Sequence, residues 1–147
     1  MLQARTRIIT AFILLPTVGA TAFAESVDPF LAIEGDWATQ GYGAVVRMTS
    51  CADAPNELCG TMVWAWEPND LKPGSLGSLM FEGAAFEDGK WTGGRLRNPE
   101  DGRAYRGSIT QVDANRLELR GCAARVFCQS QTWLRLESLP HMATKPR

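Results

Sequence analysis

Glu100 and Asp101 are adjacent carboxylates, the residue type that general acid–base chemistry uses. They stand in Asn98-Pro99-Glu100-Asp101-Gly102, a turn sequence in which acidic residues are common for conformational reasons. Four cysteines could hold a metal or supply a thiolate, but no Cys-x-x-Cys occurs and the single histidine, His141, lies near the end of the chain. No Ser–His–Asp, Cys–His or metal-ligand set can be assembled. The expectation is a protein without catalytic residues, metal or cofactor. Two other groups could do binding chemistry. Trp64, Trp66 and Tyr105, with Gln129 and Gln131, combine aromatic walls with a few amides, the pattern of a small-molecule site. Arg95, Arg106 and Arg120, flanked by Arg97 and Arg103, could receive an anion or an envelope protein partner.

These side chains are positioned by hairpins. In Lys90–Gly107, Pro99 presets φ for a type I turn and Gly102 supplies the positive φ that follows. Leu96 then falls opposite Tyr105, Gly94 opposite Gly107 and Thr92 opposite Ile109, while Arg95 and Arg106 share the other face. Asp28-Pro29, followed by Gly35, predicts one short helical turn with Asp28 as N-cap. Beyond it turn signals arrive about every ten residues, with β-rich runs between them. Eight strands are predicted: Trp37–Tyr42, Gly43–Ser50, Leu58–Trp66, Leu79–Phe86, Lys90–Arg97, Arg103–Val112, Arg116–Cys122 and Gln129–Leu136. The fold class is all-β, an antiparallel meander.

The first residues read as an address. Arg5 and Arg7 precede an apolar run from Ile8 to Val18, and Ala22-Phe23-Ala24 has the small-x-small form of a cleavage site. The run is shorter than the roughly 20 residues of a membrane span. A signal peptide over 1–24, a single domain over 25–136 and a flexible tail over 137–147 are expected, with export to the periplasm or beyond. Removing 24 of 147 residues leaves 123, and 13 basic against 16 acidic residues, a net charge of −3. That balance argues against a nucleic-acid surface. Cysteines in an exported chain favour disulfides.

Strand registers can be written from the turns, because side chains alternate faces with a period of two. The Asp88-Gly89 turn sets Phe86 opposite Trp91, Glu82 opposite Arg95 and Gly83 opposite Gly94. The Asp113-Ala114-Asn115 turn sets Ile109 opposite Leu119 and Gly107 opposite Gly121. Of the three pairings four cysteines allow, Cys51–Cys59 and Cys122–Cys128 keep the main apolar residues of every hairpin on one side. In that register Met48 meets Met62, Val46 meets Trp64 and Ala44 meets Trp66. Trp64, Trp66 and Tyr105 point inward, and Phe86 and Trp91 form an outward pair. Gly83, Gly94, Gly107 and Gly121 line up as a bare strip on the inner wall. The tryptophans Trp64, Trp66 and Trp133 fill it, or it leaves a pocket.

Gly35-x-Trp37 resembles the opening of lipocalin-type barrels, in which this Trp packs at the closed end against an Arg of the last strand; Arg135 is the matching residue. Taken together, Gly35-x-Trp37, Leu58-Cys59-Gly60, Trp91-x-Gly93-Gly94, Asn98 to Gly102 with Tyr105, Leu119-x-Gly121 and Gln131-Thr132-Trp133-x-Arg135 are similar to an exported bacterial family known as domain of unknown function 2147. The resemblance implies a small lipocalin-like barrel without established activity. The Glu67–Ser78 stretch is shorter than the insert usual there. The expected function is a periplasmic barrel binding a small apolar or amphipathic ligand; the alternative is an interaction, inhibitor or envelope-stress module with a filled barrel. Ligand, partner and oligomeric state are not legible.

Overall fold

The computed structural model describes residues 27–124 and 126–138. The expected signal peptide, nearly all of the expected tail and His141 lie outside the described residues. The chain forms a closed antiparallel barrel of eight strands in sequence order: β1 (Gly35–Ala38), β2 (Ala44–Ser50), β3 (Glu57–Ala65), β4 (Leu79–Glu87), β5 (Lys90–Arg97), β6 (Ala104–Asp113), β7 (Arg116–Ala123) and β8 (Phe127–Arg135). The meander and its strand count match the expectation. The first strand is shorter than expected, because Gln40–Tyr42 makes a 3-10 turn, with Gly41 at φ +78°, instead of extending it. A five-residue helix, α1 (Pro29–Ile33), precedes the barrel; the Phe30 N–H donates to Asp28 Oδ1 over 2.9 Å, so Asp28 caps it.

The barrel has two unlike ends. At the closed end meet α1, the start of β1, the disulfide-clamped loop after β2 and the tight turns after β4 and β6. Trp37, Ile33, Trp91, Leu58, Met48, Ile109 and Leu117 are buried together there. At the open end lie the 3-10 turn, the long β3–β4 connection, the Asn98–Gly102 turn and the β7–β8 turn. Two disulfides link Cys51 to Cys59 and Cys122 to Cys128. Cys122 sits opposite Cys128 as expected. In β2–β3, however, Thr49 is opposite Cys59, Met48 opposite Gly60 and Val46 opposite Met62, a register two residues away from the expected one. A two-residue slip preserves the face of every side chain, so the apolar pattern could not detect it.

Three β-bulges overturn further expectations. On β3, Val46 is opposite Met62 but Val45 is opposite Trp64, so Val63 is an extra residue. It turns Trp64 and Trp66 outward, where they are 38% and 43% exposed and meet edge to face with centroids 6.1 Å apart. On β4, Leu58 pairs with Ala84 and Gly60 with Phe81, so Glu82 and Gly83 together oppose Cys59. Gly83 is therefore a bulge residue with φ +76°, not part of an inner strip. On β5, Trp91 pairs with Ile109 and Gly94 with Gly107, so Thr92 and Gly93 together oppose Ser108, and Thr92 is not opposite Ile109. The extra residue turns Trp91 inward: it is 1% exposed, with Phe30 at 4.6 Å and Phe86 at 5.1 Å between ring centroids. Phe86 and Trp91 are opposite one another but are not an outward pair.

Candidate functional site: a cavity at the open end

Gly94, Gly107 and Gly121 do face inward on neighbouring strands. A Cβ on Gly94 would lie 2.6 Å from Phe81 Cζ, one on Gly107 2.7 Å from Phe81 Cε2, and one on Gly121 2.9 Å from Leu96 Cδ2. The space these glycines vacate is thus filled by the Phe81 ring and Leu96. The tryptophans assigned to this role do not perform it: Trp64 and Trp66 are outside, and Trp133 stands elsewhere in the interior.

The hollow lies beyond this plug, toward the mouth. It is a cavity of about 710 Å³, within the range of small-molecule sites. Of the candidate site residues, Tyr105, Gly121, Gln129 and Gln131 line it; Trp64, Trp66, Gly83, Gly94 and Gly107 do not. Alternation along β8 aims Gln129, Gln131 and Trp133 at the interior, and Trp133, 1% exposed, closes the cavity below. The Trp133 indole N–H donates to Gln131 Oε1 over 3.1 Å, which fixes that amide. The Gln129 amide and the Tyr105 hydroxyl are engaged by no described residue and remain available to a guest. Met62, Leu71, Met80, Leu96 and Leu119 give the cavity apolar wall, and only Arg97 and Glu100, in or beside the β5–β6 turn, bring charge to it.

Sequence reasoning missed most of that apolar wall. Leu71 belongs to a connection without strand periodicity. Met80 sits where the β3–β4 register shifts between Gly60 and Thr61. The wall is also open laterally. β1 pairs with β8 only at Trp37–Arg135 and Ala38–Leu134. Next along β8 the Thr132 N–H donates to Gln40 Oε1 over 3.1 Å, a side chain standing in for a strand. Among the described residues no strand pairs with Phe127 to Gln131 on that side.

At the other end Arg135 lies 4.2 Å above the Trp37 ring and donates to three carbonyls: Ala32 O (2.6 Å), Glu34 O (2.8 Å) and Ala114 O (2.8 Å). One guanidinium thereby ties α1, the start of β1 and the β6–β7 turn together. Gly35, at φ +118°, makes room for it; a Cβ there would be 3.1 Å from Arg135 Nη1. Nearby, Arg47 grips Asp36 with two hydrogen bonds of 2.7 and 2.8 Å, and these hold the Asp36 carboxyl below the usual carboxylate range.

On the outer wall Arg95 is opposite Arg106, and Arg120 lies one diagonal step away, opposite Ser108. Arg95 is neutralised by Glu82 at 2.7 Å. Arg106 and Arg120 are exposed and have no carboxylate within ion-pair distance among the described residues. Glu100 and Asp101 lie in the turn, where Asp101 Oδ1 accepts from the Arg103 N–H over 2.8 Å, and no described group of three His, Cys, Asp or Glu side chains could hold a metal.

A meander barrel plugged at one end by a Trp–Arg stack under a short helix, and hollow at the other, is a small lipocalin-like barrel. The structure is similar to that of protein HP1028 from the human pathogen Helicobacter pylori, described as belonging to the lipocalin family. The likeness has a TM-score of 0.55 and 15% identity, and covers 70% of this chain and 82% of that one. Residues 35–135 match the model of a family described as uncharacterized proteins conserved in bacteria, DUF2147, and the chain belongs to that family. No curated protein matches it.

Proposed function

We propose that this chain is an exported, single-domain barrel over residues 25–136 that binds a small, uncharged amphipathic ligand through its open end. The observation that carries the reading is the 710 Å³ cavity, whose Tyr105, Gln129 and Gln131 groups face an apolar wall. Such a lining suits a molecule with an aliphatic or aromatic body and one or two amide, hydroxyl or carbonyl groups, because the charged lining residues, Arg97 and Glu100, stand at the turn that borders the mouth and a charge placed deeper would find no opposite partner. Export is supported by the Arg5–Ala24 sequence and by two disulfides, which persist in oxidising compartments. The likeness to a lipocalin supports the fold alone.

Native mass spectrometry of the protein isolated from the envelope of its own bacterium tests the proposal. A co-purifying small molecule, lost in Ala123→Trp, is the expected result. Ala123 is exposed and lines the mouth, so the larger ring narrows the entrance without disturbing the core. Absence of any bound molecule, together with no change in Trp133 fluorescence across a panel of neutral amphiphiles, counts against it.

A further inference from the structure

The two halves of the barrel differ in charge. Among the described residues the closed half carries ten acidic and four basic side chains, 4 − 10 = −6; the open half carries five acidic and six basic, 6 − 5 = +1. An anionic surface would therefore repel one end and orient the other toward itself. The open end also carries exposed aromatic residues around the mouth: Tyr42, Trp64 and Trp66 outside it and, lining it while 75% exposed, Phe127. Tyr42, Trp64 and Trp66 cluster where the 3-10 turn meets β3, since the Trp66 N–H donates to Gly43 O. Arg106 and Arg120 occupy the opposite arc, on β6 and β7. Beside Arg106 a second hollow, about 500 Å³, is bordered by Arg103, Arg106 and Tyr105 and contains no carboxylate.

Aromatic side chains and arginines distributed around one rim are what a membrane–water interface accepts: rings settle at headgroup depth and guanidiniums meet phosphate oxygens. The closed end has exposed apolar groups as well, Leu31, Phe86 and Val112, but they stand among the acids, so charge selects the end that docks. We infer that the open rim is a docking surface for an anionic phospholipid bilayer, with Arg106 and Arg120 on phosphates and Trp64, Trp66 and Phe127 in the interface. The inference stands on the rim and does not depend on the cavity's being filled.

Vesicle sedimentation decides it, using processed protein recovered from the exporting cell with its N terminus verified by mass. Binding is expected to vesicles of phosphatidylcholine mixed with phosphatidylglycerol, to weaken with salt, and to be much weaker for phosphatidylcholine alone. Arg106→Ala and Arg120→Ala, both exposed and without a carboxylate partner among the described residues, should each reduce partitioning about five-fold. Brominated lipid should quench Trp64 and Trp66, because Trp37, Trp91 and Trp133 are no more than 1% exposed. Leu31→Ser and Lys90→Ala, at the closed end, should change nothing. The inference is overturned by equal binding to neutral vesicles, by unchanged binding in the two arginine variants, by equal losses from the closed-end variants, or by saturable binding of inorganic phosphate or self-association in place of vesicle binding.

Discussion

The closed and open ends of this barrel are made from the same eight strands, yet one is solid and the other hollow. At the closed end every tryptophan is inside: Trp37 and Trp91 are 0% and 1% exposed. At the open end Trp64 and Trp66 are outside, and only Trp133 is retained, as the floor. The difference is produced by single extra residues. One bulge on β5 swings Trp91 into the core and one on β3 swings Trp64 and Trp66 out of it. A small barrel has just enough interior for its side chains, so moving two indoles outside is enough to leave a cavity.

Truncating tryptophans from each end tests this division most strongly. Trp91→Ala should destabilise by about 3–5 kcal/mol, whereas Trp64→Ala should cost less than about 1 kcal/mol; denaturant titration of both variants gives the comparison. Comparable losses would mean that Trp64 is part of a core. Next in size is Arg135→Lys. The ammonium cannot stack on Trp37 while reaching the carbonyls of Ala32, Glu34 and Ala114, so about 2 kcal/mol should be lost. Ligand binding at the opposite end should be retained.

Two glycines sharpen the contrast within one sheet. Gly94→Val should cost about 1–3 kcal/mol because its side chain would overlap Phe81. Gly83→Ala should cost about 1–2 kcal/mol for a different reason, φ +76° with ordinary room around the Cβ. Accordingly, trimming Phe81 to Leu should rescue the first variant and not the second, read from the unfolding midpoints. The smallest expected effect is electrostatic. Asp36, held ionised by Arg47, has a lowered folded-state pKa. Its contribution is therefore fully present above the ordinary Asp value of about 3.9 and lost as the pH falls through the lowered folded value. Unfolding midpoints measured across that acid range should lose this component in Asp36→Asn, and vesicle binding at neutral pH should be unaffected.

The same two glycines explain what could be read in advance. The pairings Leu96–Tyr105, Gly107–Gly121 and Cys122–Cys128 follow from short turns, and counting outward from a turn reproduces them. Counting fails where the ladder carries an extra residue. Nothing in the sequence distinguishes Gly83, which makes a bulge, from Gly94, which makes room for a ring. Val63, an ordinary β-former, gives no sign that it shifts the phase of Trp64. No such shift separates Tyr105 from the β5–β6 turn, or Gly121, Gln129 and Gln131 from the β7–β8 turn, so the faces they present were legible. Leu71 and Met80 were not, because one comes from an irregular connection and the other from a register shift.

The brevity of β1 has a mechanical corollary. Six of the eight joints around the cylinder are long zippers, a seventh, between β1 and β2, has four rungs, and the eighth is fastened by two rungs and a borrowed glutamine. A bulkier guest would be admitted by parting that eighth joint while the other seven stay shut, so the vessel yields along one line. Amide exchange near Thr132 should report that yielding before it appears anywhere else in the wall.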